Sequence, residues 1–267
     1  MSSTPYLAAI SVYPVKSLDG ISLTQARVLP GGALQRNRTF ALFDPQGQYV
    51  NGKRNPKVHQ LRSRFDPDLT TLSLHTEAIA PVSFNLDTER AALETWLSQF
   101  FNLPIKIERN PVVGFPDDLN APGPTLISTA TLETVAAWFE GVSVDQIRRK
   151  LRMNLEISGV PPFWEDQLFA SSDQKVQFQI GTVQFEGINP CQHCIVPTRD
   201  PQTGKSTINF QKHFIQQRRA TLPDWANRDR FNHFYRLGLN TSVPASLTQK
   251  VLQLGDAIKM IGVSRNC

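Results

Sequence analysis

The sequence predicts a mainly β chain with a few helices, a β-rich α+β fold arranged as two domains. Three observations carry that reading. Apolar residues alternate between turn signals over the first ~85 residues and again from Leu155 onward, the period of strands buried on one face. Helical spacing is confined to short stretches between those blocks. The stretch NPVVGFPDDLNAPGP (110–124) interrupts both patterns with Pro111, Pro116, Pro122 and Pro124. Proline removes a backbone donor and fixes φ, so this segment reads as a loop or linker, with the boundary at about residue 120. The result is an N-terminal β-rich, barrel-like domain over 1–120 and a β-barrel-like domain over 121–267. A chain of 267 residues fits domains of roughly 100–200 residues and can bury a core without disulfides or metal.

Taken in order, Leu7, Ala9 and Ser11 alternate and predict a first strand with those side chains on one face. Phe40 to Val50 reads as a hairpin around Asp44-Pro45-Gln46-Gly47, a favourable turn sequence. Leu72 and Leu74 share a face, as do Val82, Phe84 and Leu86. Helical spacing then sets in: Leu93, Trp96, Leu97, Phe100 and Phe101 fall on one stripe, and Asp87 or Thr88 can cap its start. A second helix carries Leu132, Val135, Ala136 and Phe139, with Gly141 as its stop. A third follows Ser143, whose spacing to Gln146 is that of a capping box. Strands return with Leu155 and Ile157. Val176, Phe178 and Ile180 then face Val183 and Phe185 across Gly181-Thr182, a hairpin. Leu252 with Leu254, and Ile258 with Met260, alternate on either side of Gly255-Asp256. No internal repeat or low-complexity segment interrupts the series.

Composition narrows the function classes. Apolar residues at 40% and charged residues at 19% are those of a globular protein. The opening MSSTPYLAAISVYPVKS lacks a basic segment before its apolar stretch, so no secretory signal is expected. No run reaches the roughly 18 apolar residues of a membrane span. The expectation is a cytoplasmic protein with no membrane span. Lysine and arginine exceed aspartate and glutamate by 28 − 23 = 5, a mild excess suited to an anionic ligand or redox partner. The basic groups, Arg36 and Arg38, Arg62 and Arg64, Arg148 with Arg149 and Arg152, Arg218 and Arg219, show no aromatic interleaving. Nucleic acid is therefore not the expected partner, and any one basic pair reads first as a solvated face.

The most pointed motif is NPCQHCIVPTRDPQTG (189–204). It holds two of the three cysteines; Cys267 ends the chain. So few cysteines fit a reducing compartment. Four functional readings stay open for Cys191 and Cys194: a disulfide, half a zinc site, a thiol redox pair, or a thiolate offered to another soft metal. A structural zinc site needs four ligands, and His193, His213, His233 and Cys267 offer no second paired spacing. A thioredoxin-type pair sits at a helix N-terminus, whereas Ile195-Val196-Pro197-Thr198 suits a strand or turn. The plainest alternative is two small buried residues beside a hairpin.

Several segments, in order along nearly the whole chain, resemble the MOSC-domain proteins, named for the C-terminal domain of molybdenum cofactor sulfurases. They are YPVKSLDG (13–20), QRNRTFALFDPQG (35–47), LISTATLETV (126–135), LRMNLEISGVPPFWEDQ (151–167), the cysteine motif with its DPQTG turn, and LGDAIKM (254–260). The closest subset is similar to the amidoxime-reducing components, with their N-terminal MOSC β-barrel domain.

The resemblance implies a molybdenum cofactor, Mo-molybdopterin, whose metal is held and whose chemistry is served by Cys194. Cys191 matches a cysteine that is not a ligand. It also implies cofactor contacts from Lys16, Ser17, Arg38, Ser128, Thr129, Arg152, Asn154, Gln192 and His193. His193 departs from the family pattern. Glu165 and Asp166 match a Glu-Asp pair, read as a solvated turn or a local hydrogen-bonding pair. Such donors suit a phosphate and a polar pterin, and they converge only if the two domains face each other across a cleft. The implied activity is reduction of N-hydroxylated small molecules such as amidoximes and hydroxylamines. No ferredoxin-like cysteine cluster is appended, so electrons would come from a separate donor: a ferredoxin, cytochrome or flavoprotein. Two other classes stay open: a protein that binds or carries the molybdenum cofactor or sulfur, and an anion-binding module without redox work.

Overall fold

The computed structural model describes residues 4–245 and 249–265; Cys267 lies outside them. In the N-terminal half the strands are β1 (Tyr6–Val12), β2 (Ile21–Leu23), β3 (Gln25–Arg27), β4 (Phe40–Phe43), β5 (Arg62–Phe65), β6 (Thr71–His75), β7 (Val82–Asn85) and β8 (Lys106–Arg109). The rest are β9 (Leu126–Ser128), β10 (Leu155–Ser158), β11 (Gln174–Ile180), β12 (Val183–Gln192), β13 (Arg236–Ser242), β14 (Val251–Gln253) and β15 (Ile258–Arg265). The helices are α1 (Arg90–Phe101), α2 (Thr129–Ala137), α3 (Val144–Leu151) and α4 (Phe210–Ala220). The mainly β expectation holds.

The largest sheet runs β15-β11-β12-β13-β9-β10-β1-β2. It closes on itself. Tyr6 of β1 bridges Ala257, just before β15, and Leu7, Gly255 and Ile258 take part in backbone hydrogen bonds across the seam at 2.8–2.9 Å. Closure removes the exposed edges of an open sheet. Leu7, Ile10, Val12, Leu155, Phe178 and Phe185 fill its interior. The barrel of the second half is thus completed by the first strand of the chain.

The buried face of β1 is Leu7, Ile10 and Val12, not the predicted Leu7, Ala9 and Ser11. Its pairing with β10 shifts between Leu7 and Ala9, and a bulge sends later side chains to the opposite face. The hairpins at Asp44–Gly47 and Gly181-Thr182 form as expected. Leu254 and Met260 are exposed, because β14 and β15 pair with different strands and only Leu252 and Ile258 turn inward.

The N-terminal half has its own core. The meander β5-β6-β7 packs with α1, whose Leu93, Leu97 and Phe101 meet Leu72, Leu74, Phe84 and Leu86. Neither Asp87 nor Thr88 caps α1. Its cap residue is Glu89, whose side chain bonds no amide of the helix but accepts from the Asn85 amide, and Asn85 takes the amide protons of both Asp87 and Thr88 in a preceding turn.

A third core lies between α2, α3, α4 and the outer face of the barrel, and includes Cys191. The capping box of Ser143 and Gln146 is present at α3. Two register shifts separate β12 from β13 near the cysteine motif. At the second, Gly238 takes φ +74, where a Cβ would stand 3.0 Å from the Leu126 carbonyl oxygen. Such bulges end pairing and re-aim the adjoining chain; here that chain is the loop carrying Cys194.

Candidate functional site

Three predicted cations converge from distant parts of the chain. Lys16 comes after β1 and Arg38 precedes β4. Arg152 caps the C-terminus of α3 in the left-handed conformation, φ +57. Ser17 and Arg38 also take positive φ, +76 and +50. Non-glycine residues rarely adopt that region, and they cluster where surrounding structure enforces a site.

Arg152 lies over the Tyr13 ring at 4.1 Å and donates to the Leu18 carbonyl at 2.7 Å. Burial lowers its pKa, as does Arg38 beside it, but a guanidinium stays charged. Among the described residues no carboxylate forms an ion pair with it. Lys16 is nearly enclosed, 9% exposed, and donates to Asp117 at 2.6 Å. Burial lowers its pKa and Asp117 partly restores it. Asp117 also accepts from Arg38 at 2.5 Å. Burial alone would raise its pKa, but Arg38 and Lys16 together hold it at about 2.

The cysteine loop reaches the same region. Cys191 lies near the end of β12, buried, its thiol pushed up by burial and donating to Asn240 Oδ1 at 3.0 Å. Cys194 is free and exposed, and its Sγ accepts from the Val196 amide at 3.5 Å. The residues after it form a 3-10 turn, Val196–Thr198; Pro197 favours it by fixing φ at the first turn of a helix. Lys150 pins this turn through the carbonyls of Pro197 and Arg199, at 3.3 and 2.6 Å. So the last turn of α3 steadies the Cys194 loop with Lys150 and delivers Arg152 to the cation cluster. Farther along, Gly204 packs on Pro56 and His59 of the N-terminal half. An open groove of about 540 Å³ begins next to Cys194, lined by Ile195, Thr198, Thr207, Phe210, Lys212 and Ile215 among others.

The other predicted residues are placed less directly. Asn154 is buried and fully employed, binding Ser11, Asn37 and Thr125. Ser128 is enclosed; it caps α2 through the Thr131 amide. Thr129 donates within a group formed by Glu156 and Ser158. Gln192 is exposed, with its carbonyl oxygen taken by Arg236 at 3.3 Å. His193 turns inward: its ring contacts Phe214 and Tyr235, its Nε2 bonds the Leu237 carbonyl, and burial lowers its pKa to about 4.

Residues 4–106 match the MOSC N-terminal beta barrel domain, and residues 125–259 match the MOSC domain. The chain belongs to the MOSC family. MOSC domains are associated with sulfurase-like and molybdenum-cofactor-binding proteins. A search of curated proteins gave no match. The proline-rich stretch 110–124 lies within the interval, 107–124, between the two matched MOSC regions.

The residues present fit a molybdenum cofactor. Among the described residues no group of three or more His, Cys, Asp or Glu side chains is placed to hold a metal ion. Cys194 therefore offers a metal a single thiolate, which suits an ion whose other ligands arrive with it. Among the described residues Asp117 is the one carboxylate ion-paired with Lys16 and Arg38, and Asp19, whose field reaches Arg152, is paired with Arg62, so the three cations keep an excess that suits a phosphate.

Sequence reasoning missed Asp117 and Tyr13. Asp117 stood in a stretch read only as linker. Tyr13 stood just before Lys16, but nothing in the sequence paired it with Arg152. Glu165 and Asp166 are no solvated turn: each is 1% exposed. Arg218, read as half of a solvated basic pair, is fully buried and bonded to Asp166 at 2.5 Å. Among the described residues no helix is long and apolar enough to cross a membrane.

Proposed function

We propose that this MOSC protein is a molybdenum-cofactor-dependent reductase of N-hydroxylated compounds, amidoximes and hydroxylamines, with electrons from a separate ferredoxin, cytochrome or flavoprotein. The observation that carries the reading is one free, exposed thiol, Cys194, on a loop tied to a cluster of under-compensated cations drawn from both halves of the chain. The cofactor, when bound, supplies the two-electron redox chemistry. Cys194 supplies the protein's ligand to its metal. Lys16, Arg38 and Arg152 hold its phosphate and polar edges through charge-assisted hydrogen bonds. Ser17, in its left-handed turn beside Lys16, and Gln192, exposed beside the cysteine loop, are positioned to add polar contacts.

Asn154, Ser128 and Thr129 act in this reading from behind, by fixing the strands and helix starts that carry the cations. The inward His193 anchors the loop backbone. In the overall reaction R–NHOH takes two electrons and two protons and gives R–NH2 and water. The groove beginning at Ile195 is the route by which a small, partly apolar substrate reaches the site. Its volume lies within the usual range of ligand pockets, about 300–1,000 Å³.

The test is molybdenum analysis and activity on one preparation from a cofactor-competent host. The reading expects near-stoichiometric molybdenum, lost in Cys194→Ala, and reduction of benzamidoxime with an artificial electron donor. Labile sulfur without molybdenum would instead identify a sulfur carrier, for which the exposed Cys194 is equally suited. A silent Cys194→Ala would leave only an anion-binding module.

A further inference from the structure

Lys16 has no donor left for a ligand. An ammonium has three N–H groups, and one loop takes them all: Phe115 O at 2.9 Å, Pro116 O at 3.4 Å and Asp117 Oδ1 at 2.6 Å. The other Asp117 oxygen lies on Arg38. A carboxylate thus sits where the proposed function needs a phosphate oxygen.

The backbone on either side of Asp117 is fastened. The Phe115 amide donates to the Arg38 carbonyl at 2.9 Å, and the Phe115 ring packs edge-on against Phe43 and Tyr49. Gly114 takes φ +66, and a Cβ there would come within 2.6 Å of the Asn37 carbonyl oxygen. On the far side the Gly123 amide donates to Thr241 at 3.0 Å. The Asp117 side chain itself remains 71% exposed although its partners are 9% and 15% exposed. It is the solvent-exposed member of the trio. Side-chain rotation alone would carry the carboxylate into water and leave the buried Lys16 and the partly buried Arg38 without it.

We propose that Asp117 is a displaceable internal counter-ion: its carboxylate occupies the anion seat of Lys16 and Arg38 when no ligand is bound, and swings out when a phosphate enters. This rests on the reading of Lys16, Arg38 and Arg152 as a phosphate-holding cluster. The exchange is favourable electrostatically, since a phosphate carries more charge than a carboxylate and the cluster has charge to spare. It also explains how the buried Lys16 and the partly buried Arg38 are held together without a bound anion, where unpaired charge is costly. The carboxylate makes the seat selective as well, because an entering group must out-compete it.

The experiment titrates cofactor-free protein with inorganic pyrophosphate by calorimetry at fixed ionic strength. Asp117→Asn keeps the shape and removes the charge. The expected result is affinity on the order of tenfold higher than wild type, a change of about 1.4 kcal/mol, abolished again by adding Arg38→Gln. Equal or weaker binding by Asp117→Asn, with binding still lost in Arg38→Gln, would overturn the counter-ion and leave the anion seat standing. No binding by either protein would overturn the seat and the counter-ion together. A second reading uses wild type alone: the Asp117 carboxyl, tracked by carbon-13 NMR, should titrate near the ordinary aspartate range with pyrophosphate bound and well below it without. An unchanged carboxyl in the bound state sinks the proposal.

Discussion

The Arg152 guanidinium lies 4.1 Å from the centre of the Tyr13 ring, joining the end of α3 to the segment after β1 across the two matched regions of the chain. Tyr13 is enclosed, its hydroxyl donating to the Met153 carbonyl at 3.4 Å, and burial raises its pKa. The ring therefore remains a neutral platform beneath a cation that has no carboxylate partner among the described residues. Arg152→Lys keeps the charge but loses the planar face and the fork. The expected outcome is a stability loss of roughly 1 kcal/mol from the stacked contact, with cofactor content falling several-fold. Thermal melting and molybdenum analysis on the same preparation check it. Unchanged cofactor content would show that stacking does not position Arg152 for a ligand.

Glu165 gives the chain a pH dependence near neutrality. Its carboxyl oxygens lie near the Ser128 and Thr131 hydroxyls without making a well-formed hydrogen bond to them, and burial, with Asp166 next to it, outweighs those contacts and raises its pKa to about 7. An unfolded glutamate titrates near 4.3. Between those values the folded protein holds a proton the unfolded chain has lost, so stability is fully present below about pH 4 and declines as pH rises towards 7. The shift corresponds to a decline on the order of 3 kcal/mol. Glu165→Gln should flatten that slope and be the more stable form above pH 7. Urea denaturation at half-unit intervals from pH 5 to 8 measures it; parallel curves for the two proteins would remove Glu165 as the cause.

The neighbouring pair behaves oppositely to a surface salt bridge. Arg218 and Asp166 are 0% and 1% exposed, and Arg218 lies between the rings of Phe163 and Phe231 at 4.6 and 5.1 Å. Asp166→Asn would leave that guanidinium buried without its counter-charge, at a cost of about 3–5 kcal/mol. Salt should change this little, because buried pairs are screened weakly. A loss below about 1 kcal/mol, the range of exposed pairs, would mean water reaches Arg218.

Much of this was legible in the chain. The hairpins at Asp44–Gly47 and Gly181-Thr182, and the capping box of Ser143 and Gln146, depend on residues a few positions apart, and local chemistry decides them. The motifs around Lys16, Arg38, Arg152 and Cys194 were also visible as a family resemblance. What escaped was long-range. The bulge near Ala9 turns a strand face over and arises from pairing with β10, in the other half of the chain (an order set by the fold, as loop closure costs little more for long loops). Asp117 meets Lys16 across 101 positions, and nothing nearby marks it. His193 reads as a site residue beside Cys194, yet the bulge at Gly238 brings the Leu237 carbonyl to its ring.

The two cysteines should separate chemically. Cys194 is exposed and Cys191 buried, and burial pushes the Cys191 thiol up, away from the thiolate that alkylating agents attack. Brief iodoacetamide treatment of native, cofactor-free protein should label Cys194 and spare Cys191, with peptide mass mapping used to distinguish both from Cys267. Bound cofactor should protect Cys194, since bonding to the metal draws electron density from the thiolate sulfur and the cofactor covers it. Cys191→Ala should retain molybdenum and lose about 1 kcal/mol, the scale of one hydrogen bond, through its contact with Asn240. Equal labelling of both thiols in the native state would mean that the end of β12 opens readily. Unprotected Cys194 in molybdenum-loaded protein would separate that thiol from the metal.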